Sequence, residues 1–361
     1  MGRALALAER AAGLVAPNPL VGAVVVRDEQ IVGEGWHRGP GHLHAEAVAL
    51  AAAGERARGA TLYVTLEPCT HQGRTPPCAP LVAASGVSRV VVAIRDPNPL
   101  VDGRGIAHLR GAGIEVATGV RETESVRQNA GFFKHIRTGL PHVTLKMAAS
   151  LDGKAAARDG TSRWITGEPA REDVHRLRAG AGAIMVGAGT ALRDDPSLTV
   201  RHPAFPRRRP LRVIVDGAGV VPETHTAFTD GAAPTLVATS EAAPRERRDA
   251  WRAAGAEVLL LSEPGSHRVA LDRLLAELGK REIQRVLIEG GPTLASEMVR
   301  MGLVDELVLF LAPILIGGRE APSVLMGEGI PSIAEPHRLA IIEVARVGDD
   351  IKVVADVHRD R

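Results

Sequence analysis

The chain has 361 residues, of which 45% are hydrophobic and 24% charged. That is material for two cores and excludes wholesale disorder. Basic and acidic residues balance to +2, and the aromatics are only three Trp, one Tyr and five Phe, so neither a strong field for nucleic acid or acidic membrane nor a base-stacking surface is expected.

In chain order, a helical stretch over Ala4–Leu14 stops before Pro17, and two β-rich runs follow, Val21–Val26 and Ile31–Trp36. An alanine-rich helix is predicted over Ala45–Ala53, a strand over Thr61–Leu66, and a helix after Pro76-Pro77 that ends near Gly86. Arg89–Ile94 is a β-branched run that reads as a buried strand, and Asp96-Pro-Asn-Pro reads as a turn. A helix (Ile106–Arg110), a strand (Ile114–Ala117) and a helix (Glu122–Ile136) close this part. Gly139 and Pro141 punctuate the segment that follows, so residues 1–139 are expected to form one domain and residues 140–361 a second.

The second part opens on a strand over Val143–Ala149 and again alternates. Strands are predicted at Ala183–Gly187, Leu211–Asp216, Thr235–Ala238, Val258–Leu261, Arg285–Glu289 and Glu306–Leu311. Helices are predicted at Pro169–Ala179, Arg245–Ala254, Leu271–Leu278 and Thr293–Met301. Regular β–α alternation in both parts predicts an α/β protein of two domains. The longest apolar stretch, Leu307–Ile316, is too short to span a bilayer and contains Pro313. The N-terminal stretch carries Arg3, Glu9 and Arg10, unlike a signal peptide, so a cytoplasmic location is expected by default.

Cys69 and Cys78 are the two cysteines of the chain. In a reducing compartment such a pair suggests a metal or redox site before a structural disulfide. His44-Ala-Glu46 stands upstream, one strand before Pro68-Cys69. Zinc favours tetrahedral imidazole and thiolate ligands, and three protein ligands leave a position open for water. His44, Cys69 and Cys78 would supply those three, and Glu46, at the start of a helix, would carry a proton between that water and a leaving amine. Zinc deaminases carry this pattern as His-x-Glu followed by Pro-Cys-x-x-Cys. Here residues 70–77 separate the cysteines instead of two residues. From the residues alone, a Cys69–Cys78 disulfide loop, or a closed site with His71 as fourth ligand, stays open.

The first part resembles the cytidine/deoxycytidylate deaminase superfamily. Its segment Thr65–Cys78, with Pro17–Gly22 upstream and His44-Ala-Glu46 between, resembles the deaminase domain of the bifunctional riboflavin-biosynthesis deaminase–reductases. The resemblance implies a cytidine-deaminase-like α/β/α sandwich holding one zinc ion. It also implies removal of an amino group from a diamino-ribosylamino-pyrimidinone 5′-phosphate, with Asn18, His37, His71 and Arg74 as substrate contacts.

The second part lacks a Gly-x-Gly-x-x-Gly after its first strand. It carries two other glycine turns after strands, Val186–Thr190 and Ile288–Thr293, which modestly favour a phosphate-bearing cofactor. Segments Leu145–Lys154, Ser162–Thr166 and Asp194–Arg201 resemble the reductase domain of the same family. That implies a dihydrofolate-reductase-like α/β domain that uses NADPH to reduce a ribosylamino to a ribitylamino group. Under this resemblance Ala148, Trp164, Thr190, Asp194, Gly217, Gly291, Pro292, Thr293 and Leu294 line the cofactor site. Arg178, Arg201 and Ser162 face the substrate phosphate, Leu198 offers only backbone, Glu289 holds an amino group or hydroxyl, and Lys146 faces the sugar. The resemblance also implies a homo-oligomer acting on small phosphoribosylated pyrimidines, with no nucleic-acid or membrane partner. Read without it, Arg178 belongs to an arginine-rich helix and Trp164 to a core.

Overall fold

A computed structural model describes residues 1–73, 75–262 and 266–357. The chain forms two compact units, Met1–Leu140 and Pro141–Arg361. The expectation for Arg74 therefore lies outside the described residues.

In the first unit the elements run α1 (Gly2–Glu9), β1 (Gly22–Arg27), β2 (Gln30–Trp36), α2 (Ala45–Ala53), β3 (Thr61–Val64), α3 (Cys78–Ala84), β4 (Arg89–Val92), α4 (Arg104–Gly111), β5 (Glu115–Thr118), α5 (Glu122–Gln128) and α6 (Ala130–Thr138). The strands form one sheet, ordered β2-β1-β3-β4-β5. β1 is antiparallel to both its neighbours, while β3, β4 and β5 run parallel. Val25, Leu62, Val64, Val90 and Val92 of the sheet pack with Leu50, Val82 and Leu109 of the helices.

The seat of α2 follows from its composition. A Cβ on Gly33 of β2 would stand 2.2 Å from the Ala49 carbonyl oxygen, and one on Gly35 2.4 Å from that of Ala45. Glycine on the strand and alanine on the helix let the two backbones come this close. That contact sets the position of the α2 N-terminus, where His44 is the N-cap and Glu46 sits in the first turn. The single helix expected over Glu122–Ile136 is instead two, turning at Asn129 (φ −103°, ψ 17°). Asn129 accepts from the Leu20 N–H at 2.8 Å and donates to the Leu20 carbonyl at 2.9 Å, which clamps the Pro17–Leu20 segment.

The second unit contains β6 (His142–Ser150), α7 (Glu168–Gly180), β7 (Ala183–Gly187), α8 (Ala188–Asp194), β8 (Leu211–Val215), α9 (Thr226–Thr229), β9 (Thr235–Thr239), α10 (Arg245–Ala253), β10 (Glu257–Leu260), α11 (Leu271–Lys280), β11 (Arg285–Glu289), α12 (Pro292–Arg300), β12 (Glu306–Ala312), β13 (Leu339–Val347) and β14 (Asp350–Val357). Its sheet is ordered β10-β9-β8-β7-β11-β6-β12-β14-β13. Strands β10 to β12 in that order run parallel, and β14 and β13 are antiparallel to their neighbours. Ala183 and Met185 of β7 enter one core cluster and Ile184 and Val186 the other. Both faces are covered, which is why the strand reads as an unbroken apolar run.

Four elements of this unit depart from the expectation: α8, α9, β13 and β14 were not predicted. α8 and α9 are too short to show a helical period. β13 is an edge strand whose Ile341 and Val344 are 67% and 64% exposed, so its apolar residues do not mark a buried face. The signal for its hairpin was present in Gly348-Asp349, a two-residue link between paired Val347 and Asp350 with Gly348 at φ 65°. In the sheet, β11 occupies the place between β6 and β7, so the connection from β6 to β7 skips one position. Parallel sheets bind ligands beyond the carboxyl ends of strands where their order changes in this way.

Candidate active sites

In the first unit, His44 caps α2, Cys69 follows β3 by a short link, and Cys78 opens α3. These three elements bring His44 Nδ1 to 3.6 Å from Cys69 Sγ and 3.2 Å from Cys78 Sγ. All three ligand atoms lie within 4.8 Å of one another. Tetrahedral zinc with ~2.0 Å Zn–N and ~2.3 Å Zn–S bonds needs an N···S edge of about 3.6 Å, so the donor set fits the ion. Both cysteines are free, which removes the disulfide reading, and His71 is not part of the cluster.

The electrostatics are those of a polar pair in a dry place. Hydrogen bonding with Cys78 and His44 brings the Cys69 thiol down to about 4 against the opposing effect of burial. The same bond to Cys69, with burial, pushes the Cys78 thiol up. Glu46 is 3% exposed, and burial raises its carboxyl to about 7. The Cys78 N–H donates to Cys69 Sγ at 3.5 Å. On the far side of the His44 ring, Nε2 lies 3.1 Å from Thr75 Oγ1.

A cavity of about 300 Å³ opens over this cluster, and Asn18, His37, His44, Glu46, Cys69 and His71 line it. Cys78 is buried behind it. Asn18 Nδ2 lies 2.9 Å from His37 Nε2, and His37 Nδ1 lies 3.3 Å from the Leu43 carbonyl. Only the tautomer with its proton on Nδ1 satisfies both contacts, with Asn18 donating to Nε2. Burial lowers the His37 pKa, which keeps the ring neutral. His71 Nδ1 is buried with no hydrogen-bond partner. The sequence reading missed Thr75, Asp96 and Asn98, which also line the cavity. Asp96-Pro-Asn-Pro had been read as a turn, and it is one: Asp96 Oδ1 accepts from the Asn98 N–H at 2.9 Å. Burial, with Glu67 nearby, raises the Asp96 carboxyl to about 6. Glu67 in turn accepts from the N–H groups of Asp96, Gly103 and Ile106 at 3.2, 2.9 and 3.0 Å, which ties that loop to the strand leading to Cys69.

In the second unit a cavity of about 650 Å³ opens at the carboxyl ends of β6, β7 and β11. Lys146, Ala148, Ser162, Trp164, Arg178, Thr190, Asp194, Leu198, Arg201, Glu289, Gly291 and Pro292 all line it. The two glycine turns meet there: a Cβ on Gly291 (φ 76°) would stand 3.0 Å from Thr190 Oγ1. Leu198 buries its side chain in a core cluster. Three expected residues do not line the cavity. Thr293 is exposed on α12, and Leu294 packs into the core. Gly217 accepts from Ser240 Oγ at 2.6 Å, and its α-carbon faces the His267 carbonyl, 2.7 Å from where a Cβ would stand.

Arg178 and Glu289 were expected to touch different parts of the substrate. They form a two-pronged ion pair, with Nε at 2.5 Å and Nη2 at 2.7 Å from the carboxylate oxygens. Arg178 Nη1 also donates to the Thr199 carbonyl at 2.9 Å. Lys146 pairs with Glu289 across the β6–β11 register, and burial lowers its pKa while Glu289 opposes the shift. Arg201 donates from Nη1 to Ser197 Oγ at 2.8 Å, and its N–H donates to His175 Nδ1 at 3.2 Å. Trp164 is no core residue: it is 68% exposed, with the Arg171 guanidinium 4.6 Å from its ring centroid. Lys154 lies outside the cavity lining and donates from Nζ to the Ala321 carbonyl at 3.0 Å, beside cavity-lining Pro322.

Comparison with known proteins decides the family. The RibD C-terminal domain family matches residues 141–353. The cytidine and deoxycytidylate deaminase zinc-binding region matches residues 1–94. The riboflavin biosynthesis protein RibD of Bacillus amyloliquefaciens is 46% identical, with 100% of this chain and 99% of that protein covered. The chain belongs to the RibD family, the bifunctional deaminase–reductases of riboflavin biosynthesis.

RibD of Escherichia coli is 42% identical over 97% of this chain and 96% of its own. Among solved structures, the diaminohydroxyphosphoribosylaminopyrimidine deaminase/5-amino-6-(5-phosphoribosylamino)uracil reductase of Thermotoga maritima aligns with a TM-score of 0.85 at 36% identity. That alignment covers 99% of this chain and 97% of that one. The first unit is thus a zinc-binding deaminase domain and the second a RibD reductase domain that uses NADPH. Among the described residues, no helix is long and apolar enough to cross a membrane.

Proposed function

We propose that each cavity carries one of two consecutive reactions on one phosphoribosylated pyrimidine. The first removes its amino group as ammonia, and the second reduces its ribosylamino group. The observation that supports this most is the convergence of His44, Cys69 and Cys78 beside a carboxyl that burial has raised to about 7.

In the deaminase cavity His44 Nδ1 and the two thiolates would hold zinc, which when bound supplies a Lewis acid that makes water nucleophilic at neutral pH. The Glu46 carboxyl would hold and move the proton, accepting one from the nucleophilic water and giving one to the departing amine. A carboxyl balanced near neutrality both accepts and donates. Because Asn18 Nδ2 is committed to His37, its carbonyl oxygen is left to accept from a ring N–H or amino group. His71 Nδ1 is available to a polar group of the substrate, with Arg74 as a further contact.

In the reductase cavity NADPH supplies the hydride, and the chain's task is to place nicotinamide against the ribose carbon that is reduced. Thr190, Asp194 and Gly291 form the cofactor side, with Trp164 at the mouth. On the substrate side, Arg201 and Ser162 face the phosphate. Arg178 retains two N–H groups for it beyond those given to Glu289 and Thr199. Lys146, held beside Glu289, faces the sugar. A homo-oligomer in the cytoplasm belongs to the same reading, and sedimentation of the purified chain tests the assembly.

The decisive experiment gives zinc-loaded protein the diamino substrate with and without NADPH. Ammonia release without NADPH, and NADPH oxidation only once deamination has occurred, are expected. A folded, zinc-loaded protein that releases no ammonia overturns the proposal.

A further inference from the structure

We propose that Thr75 is a positioning residue for the metal-ligating His44, and that the long segment between the cysteines serves to deliver it. The inference rests on the assignment of His44, Cys69 and Cys78 as ligands. A neutral imidazole has one N–H and one lone pair. Once Nδ1, which lies 3.6 and 3.2 Å from the two sulfurs, gives its lone pair to the cation, the proton sits on Nε2, where Thr75 Oγ1 stands 3.1 Å away to accept it. By accepting from Nε2–H the hydroxyl supports the tautomer that offers a lone pair to the cation, and it also fixes the ring plane. Partners on the second nitrogen are a recurrent means of orienting metal-bound histidines.

The position of Thr75 in the chain gives this contact a structural reason. Both sulfurs face Nδ1 while Thr75 Oγ1 meets Nε2, so Thr75 stands across the ring from Cys69 and Cys78, the two residues that bound its segment. Two intervening residues leave little chain for a contact across the ring, whereas eight residues separate the cysteines here. The return is stiff. Thr75 precedes Pro76, which restricts it to extended backbone, and Pro76 and Pro77 have fixed φ. Both ends are tied: the Ala79 N–H donates to the Cys69 carbonyl at 2.9 Å, and the Gly73 N–H to the Thr75 carbonyl at 3.3 Å. The hydroxyl is thus held at the ring with little loss of loop freedom.

The test compares Thr75→Val, which keeps shape and loses the hydroxyl, with Thr75→Ser, which keeps the hydroxyl. Zinc affinity of the full chain is read by competition with a chelator. Thr75→Val should bind zinc about 10- to 100-fold more weakly, and Thr75→Ser should stay within about threefold of the parent. Cobalt in place of zinc gives a second readout, since a ring freed to turn changes the absorption bands of the tetrahedral site. Parent-like zinc affinity and cobalt spectrum in Thr75→Val, or equal weakening by Ser and Val, overturns the inference. Failure of the ligand assignment looks different: the parent chain binds no zinc, or Cys69→Ser binds it as the parent does. Thermal melting of each variant confirms that it is folded.

Discussion

The two cavities solve opposite problems. The deaminase cavity is about 300 Å³, and its groups come from the starts of α2 and α3 and the loops beside them, with Glu46 almost sealed from water. The reductase cavity is about 650 Å³, and its charged centre is an ion pair between residues 178 and 289. A hydrolytic site needs one ring, one water and a carboxyl whose charge is disfavoured by burial. A hydride site must seat two large ligands side by side, so it takes an open trough at the ends of several strands. Local chemistry dominates the first site and sheet assembly the second.

Glu46→Gln should separate the two most sharply. Ammonia release should fall by about 10²- to 10⁴-fold, with zinc content and NADPH oxidation on already deaminated substrate unchanged. Loss of both activities together would join what this comparison divides. Glu289→Gln is next. It leaves Arg178 partly buried without its counter-charge, a loss of about 3–5 kcal/mol for a broken buried pair. The reductase unit should melt earlier and lose NADPH oxidation while ammonia release persists.

Lys154→Met removes the tie to the Ala321 carbonyl beside cavity-lining Pro322. A several-fold rise in the KM for NADPH is expected, with partial recovery in Lys154→Arg and no change in deamination. An unchanged KM would show that Pro322 needs no such brace.

The smallest effect is on pH dependence. Burial, then Arg178 and Arg201, lowers His175 to about 4. Between that value and the ordinary histidine value of about 6.5 the unfolded chain binds the extra proton, so stability is full above about 6.5 and declines as pH falls toward 4. His175→Gln should flatten this acid decline in melting temperature. A parallel decline in parent and variant would remove His175 as its cause.

Much of the fold was legible because the strands of both units are apolar and bounded by turns. Ala45–Ala53, Ala183–Gly187 and Arg285–Glu289 match their elements residue for residue. Strand β13 was not legible, although Gly348-Asp349 marks the turn that follows it, because an edge strand with exposed Ile341 and Val344 lacks the one-sided pattern that marks a strand. In the deaminase site His44, Glu46, Cys69 and Cys78 stood out because zinc chemistry restricts ligand type. Asp96 and Asn98 did not, because Asp-Pro-Asn-Pro is as good a turn as it is a cavity wall.

The sequence by itself singled out His44, Glu46, Cys69 and Cys78 as candidates for metal chemistry, a division of the chain near residue 139, and most of the strands as apolar runs. It did so because ligand identity, turn propensity and apolar periodicity are local properties. Only the tertiary structure decided that Thr75 meets the far side of the His44 ring, that Asn129 clamps Leu20 from more than a hundred residues away, and that Arg178 is already paired with Glu289. Each is a directional contact between segments distant in the chain, and its partner is chosen by how the strands are ordered in the sheet, which no local pattern encodes.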